Sequence, residues 1–118
     1  MFVRGIRGAT AVKTDSSEAI LAATTELLQA IVATNDIKID DVASIIFTVT
    51  PDLKSEYPAR AARLLGWNTV ALLGATEMDV VTGLKRCIRV LLHVNTVKTA
   101  AQIKHIYLHE AKALRADR

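Results

Sequence analysis

Arginine is the residue whose placement in this sequence first suggests chemistry. The arginines of interest lie on predicted strands, on a short predicted helix or near the C-terminus: Arg4, Arg7, Arg60, Arg63, Arg89 and Arg115. Glu77 and Tyr107 accompany them as an acid and a phenol. Guanidinium groups bind carboxylates through a planar fork, and an acid or a phenol can hydrogen-bond a hydroxyl or a carboxylate. Together these side chains predict a site for a small ligand that carries carboxylates and a hydroxyl.

Arg89 stands out because it interrupts LKRCIRVLLHVNT, a segment that otherwise alternates as a buried strand. With a period of two, one face holds Ile88, Val90, Leu92 and Val94, and the other holds Cys87, Arg89, Leu91 and His93. A guanidinium cannot lose its proton in a protein, so a covered Arg89 needs an anion. That anion is either an internal carboxylate or a ligand, and a third interpretation leaves Arg89 in water.

The sequence lacks the motifs of several large enzyme classes. It has no G-x-S-x-G, no glycine-rich phosphate loop, no C-x-x-C and no H-E-x-x-H, so nucleophilic, nucleotide-driven and metal chemistry lack their usual groups. Cys87 is the one cysteine and cannot form an internal disulfide. His105 and His109 are four residues apart, but IKHIYLHE alternates like a strand rather than a helix. We therefore expect neither a metal nor a cofactor.

Charge and hydropathy limit the partners. The formal net charge is +3, but basic residues are scattered and aromatic residues make up 4% of the chain, which disfavours nucleic acid. No window of 18 apolar residues occurs, and MFVRGIRGAT lacks the apolar core of a signal peptide. We expect a soluble, cytoplasmic protein that binds a small anion and has no nucleic-acid or membrane partner.

The hydrophobic periodicity indicates an α/β (α+β) fold. At 118 residues and 51% apolar composition we expect a single domain over residues 1–118. The predicted elements are a strand in FVRGIRGATAV, a long helix in TDSSEAILAATTELLQAIVATN, a strand over 42–50, a helix over 58–66, and strands in TVALLG, around Arg89 and in IKHIYLHE. This order predicts a mixed sheet of about five strands with helices on one face. The other face would be buried against another copy of the chain, in a homo-oligomer.

Several segments, in order and over nearly the whole chain, carry a family resemblance. RGIRGAT, TPDLKSEYPARAARLLGW, ATEMDV, GLKRCIRV and HIYL with LR beyond it resemble the monofunctional chorismate mutases of the trimeric aroH class. The resemblance implies a pseudo-α/β-barrel homotrimer with active sites between adjacent subunits. It also implies an isomerase that converts chorismate to prephenate, in phenylalanine and tyrosine biosynthesis, by an intramolecular Claisen rearrangement. That reaction uses no external nucleophile and no cofactor, which agrees with the missing motifs.

The resemblance also implies roles for individual residues. Arg89 would stabilise the ether oxygen, Glu77 would accept a hydrogen bond from the ring hydroxyl, and Arg7 would act with them as the third catalytic residue. Arg7 and Tyr107 would hold the enolpyruvyl carboxylate. Tyr57, Arg60 and Arg63 would lie toward the pocket mouth near the ring carboxylate. The implied substrate-binding set is completed by Leu73, Gly74, Leu114 and Arg115.

Some interpretations stay open at the level of sequence. Gly74 stands where a thiol or hydroxyl is expected beside the ring hydroxyl, and the C-terminal tail, which ends in LRADR, is short. Tyr107 could be a core tyrosine, Glu77 a solvated acid, and the two helix arginines an exposed face. Arg4 is three residues from Arg7 on a strand, so it should face the other way. The competing functions are a trimeric module that binds an anionic metabolite and a deaminase of the RidA type. Glu77, Tyr107 and RGIRGAT favour the mutase.

Overall fold

The computed structural model describes the backbone over residues 1–117 and the side chains over residues 1–114. Its strands and α-helices are β1 (Phe2–Ala11), α1 (Ser17–Asn35), β2 (Val42–Val49), α2 (Ala59–Leu64), β3 (Ala71–Thr76), β4 (Cys87–Thr96) and β5 (Ile106–Tyr107). Short 3₁₀ segments cover Ile39–Asp41 and Ala100–Gln102, and a longer one covers His109–Asp117. The predicted order of strands and helices is confirmed. Among the described residues, no helix combines the length and the apolar character needed to cross a bilayer.

The strands form one mixed, five-stranded sheet in the order β3-β2-β4-β1-β5. The central strand β4 runs antiparallel to both β1 and β2. The edge strands β3 and β5 run parallel to β2 and β1, respectively. The predicted fold class, a mixed sheet with helices, is therefore confirmed.

Helix α1 begins and ends at recognisable caps. The Ser16 hydroxyl accepts a hydrogen bond from the Ala19 N–H at 3.1 Å, as an N-cap serine does. Asp36 ends the helix in the left-handed conformation, with φ of 51°. Between these caps buried residues recur every three to four positions, as the sequence predicted: Ile20, Thr24, Leu27 with Leu28, and Ile31.

One face of the sheet packs against α1, and we call it the inner face. Its β4 side chains are Ile88, Val90, Leu92 and Val94, all of them buried as the alternation predicted. Gly8 permits the close approach, because a Cβ there would lie 2.7 Å from Ile31 Cδ1 and 3.0 Å from Val90 Cγ2. The opposite face, called the outer face, carries the alternate residues, including Arg7, Arg89 and Leu91.

The predicted bounds of the strands in TVALLG and IKHIYLHE were wrong. Strand β3 begins at Ala71 rather than Thr69 and continues to Thr76, because its parallel pairing with β2 extends from Ser44 to Val49. Strand β5 covers only Ile106–Tyr107 of IKHIYLHE. The chain leaves the sheet after Tyr107. His109, which has a φ of 54°, is the first residue of the 3₁₀ segment His109–Asp117. Alternation alone did not reveal that this segment turns back over the outer face.

Candidate active site

A transverse row of side chains crosses the outer face of the sheet. Strand pairing places Tyr107 of β5 beside Ala9 of β1, Ala9 opposite Arg89 of β4, and Arg89 opposite Thr48 of β2. Paired residues point to the same side of a sheet. Backbone hydrogen bonding therefore decides which side chains flank Arg89. Ala9, which is fully buried and packs with Tyr107, lies between Tyr107 and Arg89 in this row.

Glu77 completes the row from the end of β3. Its N–H donates to the Val49 carbonyl at 2.9 Å, which continues the β2–β3 pairing by one residue. Glu77 Oε1 accepts a hydrogen bond from the Thr48 hydroxyl at 2.8 Å and lies 3.5 Å from Arg89 Nη1. The side chains of Arg89 and Glu77 are 28% and 19% exposed. Arg89 thus has an internal carboxylate neighbour, but at a distance longer than a good charge-assisted hydrogen bond.

An open cavity of about 610 Å³ lies over Arg89 and Glu77, a size suited to a small metabolite. Segment 78–85 and Leu114 form other parts of its wall. Among the residues whose side chains are described, the charged lining consists of the cations Lys85 and Arg89 and the acids Asp52, Glu77 and Asp79. Within the described residues, no group of three or more His, Cys, Asp or Glu side chains could hold a metal. The charged lining residues can offer charge and hydrogen bonds to a ligand.

Hydrogen bonds fix the start of β4 beside the cavity. The Cys87 N–H donates to the Thr50 hydroxyl at 3.0 Å, and that hydroxyl donates to Asp52 Oδ1 at 2.5 Å. Asp52 also accepts from the Arg86 N–H, at 3.1 and 3.0 Å for its two oxygens, where Arg86 has a φ of 49°. These bonds hold the backbone next to Arg89. Cys87 lines the cavity, but burial raises the pKa of its thiol to about 11, which makes the thiol a poor nucleophile near neutral pH.

Arg7 and Tyr107 flank the cavity without lining it. Arg7 pairs with Leu91, which places it diagonally from Arg89 on the outer face, at a typical Cβ separation of about 7–8 Å. Tyr107 is 9% exposed and packs with Ala9, and its hydroxyl has no hydrogen-bond partner among the described residues. A buried hydroxyl without a partner is rare in proteins. The expected opposite orientation of Arg4 is confirmed, because it pairs with Val94 of the inner face.

Other predicted site residues lie away from this cavity. Tyr57, Leu73 and Gly74 are exposed, and none of them lines it. Arg60 is also exposed, and its Nη1 forms an ion pair with Glu56 Oε1 at 2.7 Å. The Ser17 hydroxyl, the Tyr57 N–H and Arg60 lower the pKa of Glu56 to about 2.

The remaining predicted site residues are Arg63, Leu114 and Arg115. Arg63 is exposed on α2 and does not line the cavity, whereas Leu114 does. The Arg115 side chain lies outside the described residues. One described chain therefore brings together Arg89, Glu77 and Leu114, with Arg7 and Tyr107 beside them.

Sequence reasoning missed Thr48, Thr50 and Asp52. All three occur in the short segment TVTPD, where alternate threonines precede a proline and an aspartate. The alternation in that segment indicates that Thr48 and Thr50 share a face. It does not indicate which carboxylate each hydroxyl contacts.

The family model described as chorismate mutase type I matches residues 3–118. The chain belongs to this family. It is 46% identical to chorismate mutase AroH of Bacillus subtilis (strain 168) over 118 residues, 99% of this chain and 93% of that one. It is 48% identical to chorismate mutase AroH of Thermus thermophilus over 116 residues, 98% of this chain and 95% of that one.

A solved structure supports the same assignment. The chorismate mutase from Clostridium thermocellum superposes with a TM-score of 0.93 at 48% identity, covering 94% of this chain and 99% of that one. The predicted function, chorismate mutase, is confirmed, and so is the predicted enzyme class, an isomerase of aromatic amino acid biosynthesis. These matches favour the mutase over the binding-module and deaminase alternatives.

Proposed function

We propose that the chain accelerates the rearrangement of chorismate to prephenate with a charge that the sheet holds in place. The Arg89 guanidinium lies at the cavity, 3.5 Å from the Glu77 carboxylate, and this observation carries the proposal. In the rearrangement a C–O bond breaks while a C–C bond forms, within one ring of six atoms. Negative charge grows on the ether oxygen as the C–O bond breaks. A fixed cation at that oxygen lowers the barrier because it needs no reorganisation during the reaction.

Arg89 retains donors for this role. A guanidinium has five N–H donors, and the long contact to Glu77 does not saturate them. Strand pairing on both sides, with Ala9 and Thr48, holds the Cα of Arg89 in the middle of the sheet. The side chain is therefore preorganised toward the cavity, as an electrostatic catalyst requires.

Glu77, Arg7 and Tyr107 would hold the substrate in its compact, reactive conformer. Glu77 accepts from the Thr48 hydroxyl and from the Met78 N–H, and a carboxylate can accept further hydrogen bonds, here from the ring hydroxyl. The unpartnered Tyr107 hydroxyl supports a role in binding the enolpyruvyl carboxylate together with Arg7. Holding reacting groups in a near-attack geometry removes much of the entropic barrier.

The charge of the cavity supports a site shared between subunits. Among the described side chains its charged lining comprises three acids and two cations, so further arginines would be needed to hold a dianion. Arg60 is already paired with Glu56, whereas no carboxylate among the described residues forms an ion pair with Arg63. We therefore assign the ring carboxylate to Arg63 of a neighbouring subunit, with Tyr57 and Leu73 beside it.

Exposed apolar side chains support a homotrimer. Leu73 and Leu91 lie on the outer face, and Met78, Val80 and Val81 follow β3, all of them exposed in the single chain. Burial of such a surface stabilises association. A pseudo-barrel trimer in the cytoplasm, with a cavity at each subunit boundary, would cover this surface. Light scattering should show a trimer at assay concentrations, and an active monomer would contradict the shared site.

Mixed trimers test which subunit supplies each residue. Arg89→Ala and Arg63→Ala chains are each expected to be nearly inactive alone. After co-refolding in equal amounts, a site that takes Arg89 from one subunit and Arg63 from the next is intact when both contributors are unmutated. Random assembly should therefore restore about one quarter of wild-type activity.

A matched mixture serves as the control. Arg89→Ala mixed with Glu77→Ala should recover nothing, because Arg89 and Glu77 face one cavity in one chain. If the Arg89→Ala and Arg63→Ala mixture also recovers nothing, the two arginines belong to one subunit. If Arg63→Ala alone is fully active, Arg63 has no part in the site.

A further inference from the structure

Thr48 contacts Glu77 through its side-chain hydroxyl and also pairs with Arg89 in the sheet. Its Oγ1 donates to Glu77 Oε1 at 2.8 Å. Its backbone lies opposite Arg89 in the pairing of β2 with β4. The threonine hydroxyl and the arginine cation therefore approach the same carboxylate from neighbouring strands.

The Thr48 hydroxyl and the Arg89 guanidinium both lie near the same oxygen of Glu77. Oε1 accepts the short bond from Thr48 and stays 3.5 Å from Arg89 Nη1, while Oε2 accepts from the Met78 N–H at 3.2 Å. Carboxylate and guanidinium groups frequently form a bidentate pair, with N···O distances of about 2.7–2.9 Å. The Glu77 carboxylate, at 3.5 Å from Arg89 Nη1, stops short of such a pair.

We propose that Thr48 is a positioning residue that keeps Glu77 from closing on Arg89. A closed pair would use two guanidinium donors and would place a full negative charge where the ether oxygen needs a cation. It would also occupy the carboxylate oxygens intended for the ring hydroxyl. Thr48 thus keeps Arg89 and Glu77 available to the substrate, although Thr48 itself does not contact the substrate. This role rests on the functions proposed above for Arg89 and Glu77.

Threonine suits this position for two physical reasons. Its branched Cβ restricts χ1 on a strand, so the hydroxyl keeps one direction at small entropic cost. It is also part of a strand paired on both sides, with Arg89 of β4 and Ala75 of β3. Serine keeps the hydroxyl, whereas valine keeps the shape and removes the hydrogen bond.

The experiment compares Thr48→Val with Thr48→Ser in steady-state kinetics on chorismate. Loss of a hydrogen bond to a charged group corresponds to about a 10-fold change, so kcat of Thr48→Val should fall about 10-fold with a smaller change in KM. Thr48→Ser should stay within about threefold of wild type because it retains the donor. Thr48→Ala should lose as much as Thr48→Val, and it replaces that variant if valine prevents folding.

The same substitution in a Glu77→Ala variant distinguishes a positioning role of Thr48 from a packing role. In Glu77→Ala there is no carboxylate to restrain, so adding Thr48→Val should lower kcat by less than about twofold. A packing role would produce the same loss in both backgrounds. Arg89→Ala is measured alongside: if it keeps wild-type kcat, the proposed electrostatic role fails, whatever Thr48 does.

Each outcome decides the proposal. A loss in Thr48→Val, rescue by Thr48→Ser and no further loss in the Glu77→Ala background support it. Wild-type or raised activity of Thr48→Val overturns it, as does an equal loss without Glu77. Failure of Thr48→Ser to rescue also overturns it.

Discussion

The two faces of the central strand β4 differ sharply, although their residues alternate along one segment. Leu92 on the inner face is fully buried, whereas its neighbour Leu91 on the outer face is 36% exposed. Arg89 shares the outer face with Leu91 and lines the cavity. One face holds the sheet to α1, and the other presents a charge, so stability and activity should respond to different mutations.

The largest expected effect lies on the outer face, at Arg89. Arg89→Ala should lower kcat by about 10²- to 10³-fold or more, because in the proposed mechanism the cation meets a charge that develops only in the transition state. Arg89→Lys should recover part of the loss, since lysine keeps the charge but lacks the planar fork. Both variants should remain folded by circular dichroism. If Arg89→Ala raises KM and leaves kcat near wild type, Arg89 is only a binding residue.

On the inner face, Leu92→Ala should act on stability instead. Truncating a fully buried leucine leaves a cavity and typically costs about 2–5 kcal/mol in the free energy of unfolding. Urea denaturation at fixed protein concentration measures this change, and kcat per folded subunit should be unchanged. Leu91→Ala is the matched substitution on the outer face and should mainly weaken association of the proposed trimer. Equal stability losses at both positions, independent of protein concentration, would remove the distinction between the faces.

A smaller effect distinguishes two arginines of β1 that face opposite ways. Arg7 would bind a carboxylate that is charged before and during the reaction, so Arg7→Ala should raise KM by about 10- to 100-fold and lower kcat less. Arg4→Ala is the control, because Arg4 Nε donates to the Lys98 carbonyl at 3.1 Å and its guanidinium lies over Phe2. Arg4→Ala should leave both kinetic constants unchanged. A KM effect at Arg4 equal to that at Arg7 would contradict the assignment.

The smallest expected effect is that of pH on kcat, which should vary little between about pH 6 and 9. In the proposed mechanism no side chain exchanges a proton with the substrate, and burial raises the pKa of the Cys87 thiol to about 11. Rates in heavy water should therefore match those in ordinary water. A bell-shaped profile near neutrality would reveal a general acid or base.

Lowering the pH should instead lower the free energy of unfolding. Burial, and then the nearby Arg7 charge, lower the pKa of His105 below its usual 6.5. The unfolded chain then binds a proton more readily, so stability should fall as pH drops through about 6.5. The pKa of Glu56 is lowered to about 2, so its contribution is present above its ordinary value of 4.5 and is lost as pH falls toward 2. Thermal denaturation at several pH values measures both changes.

Local pattern predicted the inner face more fully than the outer one. The three-to-four-residue period of α1 and the alternation of β4 were sufficient to assign Leu27, Ile31 and Leu92 to the core. The pairing of Arg60 with Glu56 was not predicted, although the two residues are four apart at a helix start. Nor was the cavity wall over segment 78–85, because that segment has no period.

The sequence by itself determined the element order, the buried faces and the family, since these depend on periodicity, caps and short motifs within continuous segments. Only the tertiary structure decided that Thr48 lies opposite Arg89 and that Glu77 reaches both. That arrangement depends on the register between β2 and β4, which shifts between Val42 and Ser44. A register slip of one residue would turn Thr48 toward the other face of the sheet. Strand register is a property of distant backbone segments, so no local pattern contains it.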